Sequence, residues 1–181
     1  TLMNQGIGRN YGLELTMERY FSGGFYFLTT GSLFEAKYQG SDGVWRNTTF
    51  NGRYALNTIA AKEFKVGKNA SFNIGTKFTT IGGRWFGPVD HVESEKTLEV
   101  QYLSATANTQ QYRAYKRFDL KLGYNWNYPK TSWEFALDLS NLTGEKNILQ
   151  LTYVADHPSG NPVQEEYQLG LFPVFYLKCD F

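Results

Sequence analysis

Apolar and polar side chains alternate along this chain over runs longer than an ordinary strand. The cleanest run closes it. From 167 to 181 the odd positions are Tyr167, Leu169, Leu171, Pro173, Phe175, Leu177, Cys179 and Phe181. The even positions are Gln168, Gly170, Phe172, Val174, Tyr176, Lys178 and Asp180. Period-two patterning puts alternate side chains on opposite faces of an extended strand, and this run is long against the ~5–6 residues of a typical strand. One face is apolar and the other mixes polar, small and aromatic groups. The chain ends on an aromatic residue, Phe181.

The same alternation recurs upstream. In 7–21, Tyr11, Leu13, Leu15 and Met17 oppose Asn10, Gly12, Glu14, Thr16 and Glu18. The return strand, 25–38, places Tyr26, Leu28, Phe34, Ala36 and Tyr38 on one face, with the pattern blurred near Gly31. A run from 46 to 66 sets Phe50, Tyr54 and Leu56 against Asn51, Arg53 and Asn57, and 71–86 sets Phe72, Ile74, Thr76 and Phe78 against Asn73, Gly75, Lys77 and Thr79. Periodicity fails from 87 to 111, which reads as a long polar loop with a short strand at 98–103. In 113–128, Phe118, Leu120, Leu122, Tyr124, Trp126 and Tyr128 share a face. From 133 to 154 a strand continues through an interruption at Asn141-Leu142-Thr143-Gly144, read as a bulge.

The expectation is an all-β fold: an antiparallel meander of about seven long strands in a single domain covering residues 1–181. Its connections alternate in kind. Those at Ser22-Gly23-Gly24, Gly67-Lys68-Asn69 and Tyr128-Pro129-Lys130-Thr131 are tight, and those from Gln39, Gly87 and Asp156 are longer and polar. Short turns at one end and long loops at the other characterise outer-membrane barrels. Aromatics gather at the tight turns: Tyr20, Phe21, Phe25 and Tyr26 at the first, Phe64 and Phe72 at the second, Trp126, Tyr128 and Trp133 at the third. These read as one girdle at headgroup level on the periplasmic side, beside the plainer reading of β-formers at strand ends. Glu14, Glu18, Arg53, Lys77, Arg117, Asp119, Lys121, Glu134 and Asp138 fall on the opposite, lumen faces, where charges are solvated or pair across strands.

Composition fits this picture. Aromatics make up 17% of 181 residues, and the net charge of +1 offers no electrostatic footprint for nucleic acid. Mean hydropathy is −0.44, as expected where every second residue faces a polar lumen. Cys179 is the only cysteine, so neither an internal disulfide nor a thiolate metal cluster can form. His91 and His157 lie in loops without metal-site spacing, and no nucleophile–base pair or phosphate-binding motif occurs. The reading is therefore of a non-enzyme without metal or cofactor. The alternatives are a non-transporting barrel (an adhesin or a lipase-type protein) and a soluble carbohydrate-binding β-sandwich.

Several segments carry a resemblance: Asn10-Tyr11-Gly12-Leu13-Glu14-Leu15-Thr16, Asp42-Gly43-Val44-Trp45-Arg46-Asn47-Thr48, Gly82-Gly83-Arg84, Arg117-Phe118-Asp119-Leu120-Lys121-Leu122-Gly123-Tyr124, Leu137-Asp138-Leu139-Ser140-Asn141-Leu142-Thr143 and the terminal Phe181. In order and spacing the chain resembles the carboxy-terminal barrel region of TonB-dependent outer-membrane receptors. The nearest branch carries a carboxypeptidase-regulatory-like domain ahead of the plug. Many members read Asn-Leu-Phe-Asp where this chain has Asn141-Leu142-Thr143-Gly144.

The resemblance implies the last strands of a 22-stranded barrel in the outer membrane of a Gram-negative bacterium. It implies energised uptake of a scarce nutrient: an iron chelate, a vitamin-like cofactor, an oligosaccharide or a peptide. The implied partners are outer-membrane lipid, the TonB complex acting through a plug that this sequence lacks, the barrel-assembly machinery reading Phe181, and a surface lipoprotein. An odd strand number then puts Phe181 on the periplasmic side and Thr1 outside.

Overall fold

The alternating runs pair in the order in which they occur along the chain. The computed structural model describes residues 6–181. Its strands are β1 (Ile7–Ser22), β2 (Phe25–Gln39), β3 (Trp45–Asn47), β4 (Tyr54–Val66), β5 (Ala70–Ile81), β6 (Trp85–Phe86), β7 (Gln110–Gln111), β8 (Tyr115–Asn127), β9 (Ser132–Ser140), β10 (Ile148–Tyr153), β11 (Val163–Tyr167) and β12 (Phe172–Asp180). A helix, α1 (His91–Thr97), and a 3-10 turn at Ser104–Thr106 lie between β6 and β7. One large sheet runs β1-β2-β4-β5-β8-β9-β12 with β3 added against β2, while β6-β7 and β10-β11 form two small ribbons. Every pairing is antiparallel. The expected all-β antiparallel meander is thus the observed fold. The placement of Thr1 lies outside the described residues.

The tight turns fall at one end of the sheet. Gly23 and Gly24 have φ of 60° and 73°, the left-handed pair that a two-residue hairpin requires. Gly67 has φ of 65°, and the Tyr128 amide donates to the Thr131 carbonyl at 2.7 Å. Strand reversal then sends the longer connections to the other end.

Register decides the faces, because directly paired residues of an antiparallel ladder project to the same side. Leu13 pairs with Leu33 and Met17 with Thr29; Leu33 pairs with Tyr54 and Phe27 with Ala60. Phe64 pairs with Phe72, Phe72 with Tyr124, Tyr124 with Phe135, and Phe135 with Leu177. The apolar sets of β1, β4, β5, β8, β9 and β12 therefore share one side. On β2 the register departs from the sequence pattern. Tyr26 and Leu28 pair with Ala61 and Ile59, so the even set of β2 lies on the polar side with Glu14 and Thr16, and the ladder runs through Gly31 without interruption.

Nothing packs over either face among the described residues. Ala136, at 8% exposure, is the buried hydrophobic side chain there, while Leu13 (74%) and Phe175 (76%) stand open. The chain exposes 12317 Å², against roughly 8,900 Å² expected of a compact monomer of 20.7 kDa.

Several expected strands are shorter than their alternation. The run 46–66 breaks at 48–53, and 71–86 breaks at Gly82-Gly83-Arg84. At that level the two backbones touch: a Cβ on Gly82 would lie 1.7 Å from the Gly52 carbonyl oxygen. Residues 98–103 form no strand; α1 stands just before them, and an isolated bridge joins Val89 to Tyr102. The interruption at 141–144 is more than a bulge. The chain leaves the main sheet after Ser140 and re-forms as β10, which pairs with β11 in a separate hairpin. The closing run is likewise divided into β11 and β12 by residues 168–171.

Asparagines fill these breaks. The Asn147 side chain accepts from the Lys116 amide at 2.9 Å and donates to the Lys116 carbonyl at 2.7 Å, standing in for the β9 peptide that has turned away. Asn51, fully buried, accepts the Ala36 amide at 2.9 Å between the parts of β2 held by β3 and by β4. Asn141, with φ of 51°, accepts the Glu145 amide at 3.1 Å and donates to the Leu169 carbonyl at 3.2 Å.

Candidate functional site

The sheet presents two chemically different faces, with a folded block of loops at one end. On the polar face, Lys77 sits opposite Asp119 and Lys121 opposite Asp138. Arg117 donates to the Asp119 carboxylate at 2.6 Å and to the Ser140 hydroxyl at 3.2 Å. Lys121 donates to the Tyr176 hydroxyl at 3.1 Å, and Tyr176 donates on to Glu134. Ser32 donates to Glu14 at 3.1 Å. Gly75 floors a hollow of about 340 Å³ lined by Lys77, Asp119, Lys121 and Asp138. The charges expected on this face lie there except Arg53, which sits in the 48–53 break with φ of 68° and its guanidinium 5.4 Å from the Trp85 ring. Sequence parity misplaced it because the strand it was counted on stops.

On the apolar face the charged residues sit toward the strand ends: Arg9, Glu35, Lys37 and Lys116 at the loop end, Arg19 and Lys62 at the turn end. Lys62 turns its ammonium to the Gly23 carbonyl, 2.9 Å away at the first tight turn. Burying the stem while the charge reaches the rim is the snorkelling habit of lysine.

The aromatic residues singled out at the turns divide between the faces. Phe64 and Phe72 pair across β4 and β5 with ring centroids 6.5 Å apart. Trp126 faces Trp133 across β8 and β9 and lies 5.0 Å from the Tyr128 ring. Phe25 lies 6.3 Å from Phe27 on the same side. Tyr20 and Phe21 fall within the irregularity between Arg19 and Ser22. Tyr26 lies on the polar side, since its partner is Ala61, and so is separated from the other rings. Tyr124 and Phe135 complete the row from Phe64 and Phe72. Their parity with Trp126 and Trp133 was the signal that could have found them. Phe181 follows β12 with 98% of its surface open.

The loop end is built from the 82–114 connection, the 40–53 connection and the β10–β11 hairpin. The Trp85 amide donates to the Thr49 carbonyl at 2.8 Å, and its indole donates to the Asn51 carbonyl at 2.6 Å. Asn108 donates to the Asn47 carbonyl at 2.7 Å. Asp90 caps α1 by accepting the Glu93 amide, and buried Ser94 accepts the Gln101 amide at 2.9 Å. Phe86 and Tyr112 stack at 4.1 Å, with Tyr102 edge-on to Phe86 at 6.3 Å. Seating Tyr112 needs a residue without a side chain at Gly83, whose Cβ would lie 1.8 Å from the Tyr112 carbonyl oxygen.

Two arginines tie this block to the hairpin. Arg84 donates to the Ile148 carbonyl at 3.3 Å and to that of Leu149. Arg113 donates to the Lys146 carbonyl and pairs with Glu165, both at 2.9 Å. Between block and hairpin is a cavity of about 360 Å³, lined by Arg84, Phe86, Tyr102, Ala107, Tyr112 and Gln150 among others. Burial, followed by a hydrogen bond with Tyr102, pushes the Tyr112 hydroxyl well above its ordinary range. In the 40–44 turn, hydrogen bonds from Arg46 and then from the Val44 amide pull the Asp42 carboxyl down to about 2. His91 opens α1, and His157 Nδ1 lies 2.7 Å from Ser159 Oγ in the hairpin turn. Among the described residues, no three His, Cys, Asp or Glu side chains converge as a metal site would require.

No family model, characterised protein or solved structure matches the chain.

Proposed function

We propose that this chain is wall and outer loops of an outer-membrane β-barrel: the closing strands of a 22-stranded receptor that takes up a scarce nutrient with energy passed through TonB. The observation that carries the wall reading is the coincidence of faces. Strands of 9 to 16 residues, all but β2, gather their apolar alternations on one uncovered side. In water such a surface invites association; against lipid it is the ordinary exterior of a barrel. Thirteen residues of β4 extend about 43 Å at ~3.3 Å per residue, which a tilt near 45° reduces to about 30 Å, the thickness of a hydrocarbon core. No helix among the described residues is long and apolar enough to cross a membrane, so the crossing is assigned to strands. A sandwich would need a second sheet over the apolar face, and the described residues supply none.

In this reading lipid lies against Leu13, Leu120 and Phe175, and the polar face with Lys77, Asp119, Lys121 and Asp138 lines the lumen. The rings of Phe64, Phe72, Trp126, Tyr128 and Trp133 mark the periplasmic interface, and Phe181 follows β12 at that same end. The receptor class rests on the resemblance of the ordered motifs from Asn10 to Thr143. It adds the TonB complex through a plug, and a surface lipoprotein over the loops, as partners.

Single cysteines in a Cys179→Ala background, spin-labelled in bilayers, test the wall. Labels at positions 15, 120 and 137 should collide with oxygen and not with a water-soluble nickel chelate, and labels at 16, 121 and 136 the reverse. Equal access of the chelate to both sets refutes the wall. Nutrient uptake that persists unchanged under a protonophore refutes the energised reading.

A further inference from the structure

The cavity between the 82–114 connection and the β10–β11 hairpin sets a half-buried arginine, Arg84, against three aromatic rings. Arg46 and Arg113, at the same end of the sheet, each close on a carboxylate, Asp42 and Glu165. Arg84 has no carboxylate partner among the described residues; one terminal nitrogen is spent on the Ile148 and Leu149 carbonyls. A half-buried guanidinium with its Nε and its other terminal nitrogen left as donors favours an anion such as a carboxylate. On the hairpin side both acids are already engaged, Glu166 accepting from Gln150 at 2.8 Å and Glu165 paired with Arg113 at 2.9 Å. The remaining wall is aromatic: Phe86, Tyr102 and Tyr112, locked by stacking and by the close approach at Gly83. The volume of about 360 Å³ lies at the small end of ligand sites and suits a one- or two-ring molecule.

We propose that this cavity binds a small aromatic monocarboxylate, its ring system against Phe86, Tyr102 and Tyr112 and its carboxylate on Arg84. The acid replaces water on Arg84 and supplies the charge the cavity lacks, while the rings take the apolar body. The phenol of Tyr112, held protonated by burial, adds no competing negative charge. This names the ligand class of the outer loops and rests on the receptor reading for the direction from which the ligand arrives.

Calorimetric titration of the full-length protein in detergent with naphthalene-2-carboxylate and with neutral 2-naphthalenemethanol tests it. The carboxylate should bind at least about tenfold more tightly than the alcohol, the discrimination expected of a charge-assisted hydrogen bond. Arg84→Gln should bring the carboxylate to the affinity of the alcohol, and Ala107→Phe, which fills the cavity, should abolish binding of both. Because Arg84→Gln also releases the hairpin, the two-probe comparison on unaltered protein and the Ala107→Phe variant decide independently of it. Equal affinities for the two probes, no binding of the carboxylate up to millimolar concentration, or unchanged carboxylate binding in Ala107→Phe each overturn the proposal. Lipid-exposed spin labels together with failed binding would sink the ligand class alone. Binding together with chelate access on both faces would sink the wall alone.

Discussion

Asn147 offers a sharp test of how the strands end. Its side chain replaces a strand: it accepts the Lys116 amide at 2.9 Å, donates to the Lys116 carbonyl at 2.7 Å and is 6% exposed. Asn147→Leu keeps the branched outline of the side chain and removes both bonds. Each orphaned backbone group costs about 1–3 kcal/mol, so the loss over two groups is roughly 2–6 kcal/mol, toward the lower figure if water enters. The β8 edge should then open locally. Hydrogen exchange at the Lys116 amide, read by NMR or mass spectrometry, should accelerate by about 30-fold or more, while the amide of Leu120, within the pairing of β8 with β9, keeps its protection.

Asn147→Asp separates the two bonds. The acceptor for the amide survives, but a carboxylate oxygen now faces the Lys116 carbonyl. Protonation restores a donor, so the folded-state pKa lies above the ~3.9 of an unfolded Asp. The stabilisation is then fully present below that value and lost as pH rises through the folded pKa. Relative to the unaltered protein, Asn147→Asp should be more stable near pH 4 than near pH 7. Unchanged Lys116 exchange in Asn147→Leu, or a pH dependence of the opposite sign in Asn147→Asp, refutes the strand-surrogate account.

Three other outcomes follow from single sites. Gly82→Ala places a methyl 1.7 Å from the Gly52 carbonyl oxygen and should cost at least about 2 kcal/mol with new protease cleavage in 82–114, whereas Gly75→Ala meets only the Lys121 Cβ at 3.7 Å and should be near neutral. On the wall reading, Leu120→Lys should lower folding stability in lipid by about 2–4 kcal/mol, measured by denaturant titration into liposomes, and Lys121→Leu on the other face should not. The Asp42–Arg46 contact contributes above the unfolded Asp pKa of ~3.9 and is lost as pH falls toward the folded value of about 2. The Val44 amide resonance, whose proton bonds to Asp42 at 3.1 Å, should therefore titrate with a midpoint near 2, and a midpoint near 4 would show the contact to be absent.

Alternation, turn chemistry and connection order were legible in the sequence, because each is local. The pleat forces side chains to alternate, so Leu13, Leu15 and Met17 announce one face of β1 without any partner. Gly23-Gly24, Gly67 and Pro129 announce reversals through their own backbone preferences. Seven paired strands in chain order follow from these signals. Among the charges expected on the polar face, Lys77, Arg117, Asp119, Lys121, Glu134 and Asp138 were legible for the same reason, and Arg53 was not.

Tertiary structure decided where alternation stops being a strand and which face of β2 joins which side. A peptide stays in the sheet only while a neighbouring backbone, distant in sequence, offers its donors and acceptors. Asn51, Asn141 and Asn147 mark the places where that neighbour turns away and a side-chain amide takes over. The cavity beside Arg84 depends on the same long-range geometry. It assembles Phe86, Tyr102 and Tyr112 with Leu149 and Gln150 of a hairpin distant in sequence, in a stretch where period two carries no information. Local covalent geometry wrote the two faces into the sequence; partner registry, a property of the folded sheet alone, set their limits and built the loop end.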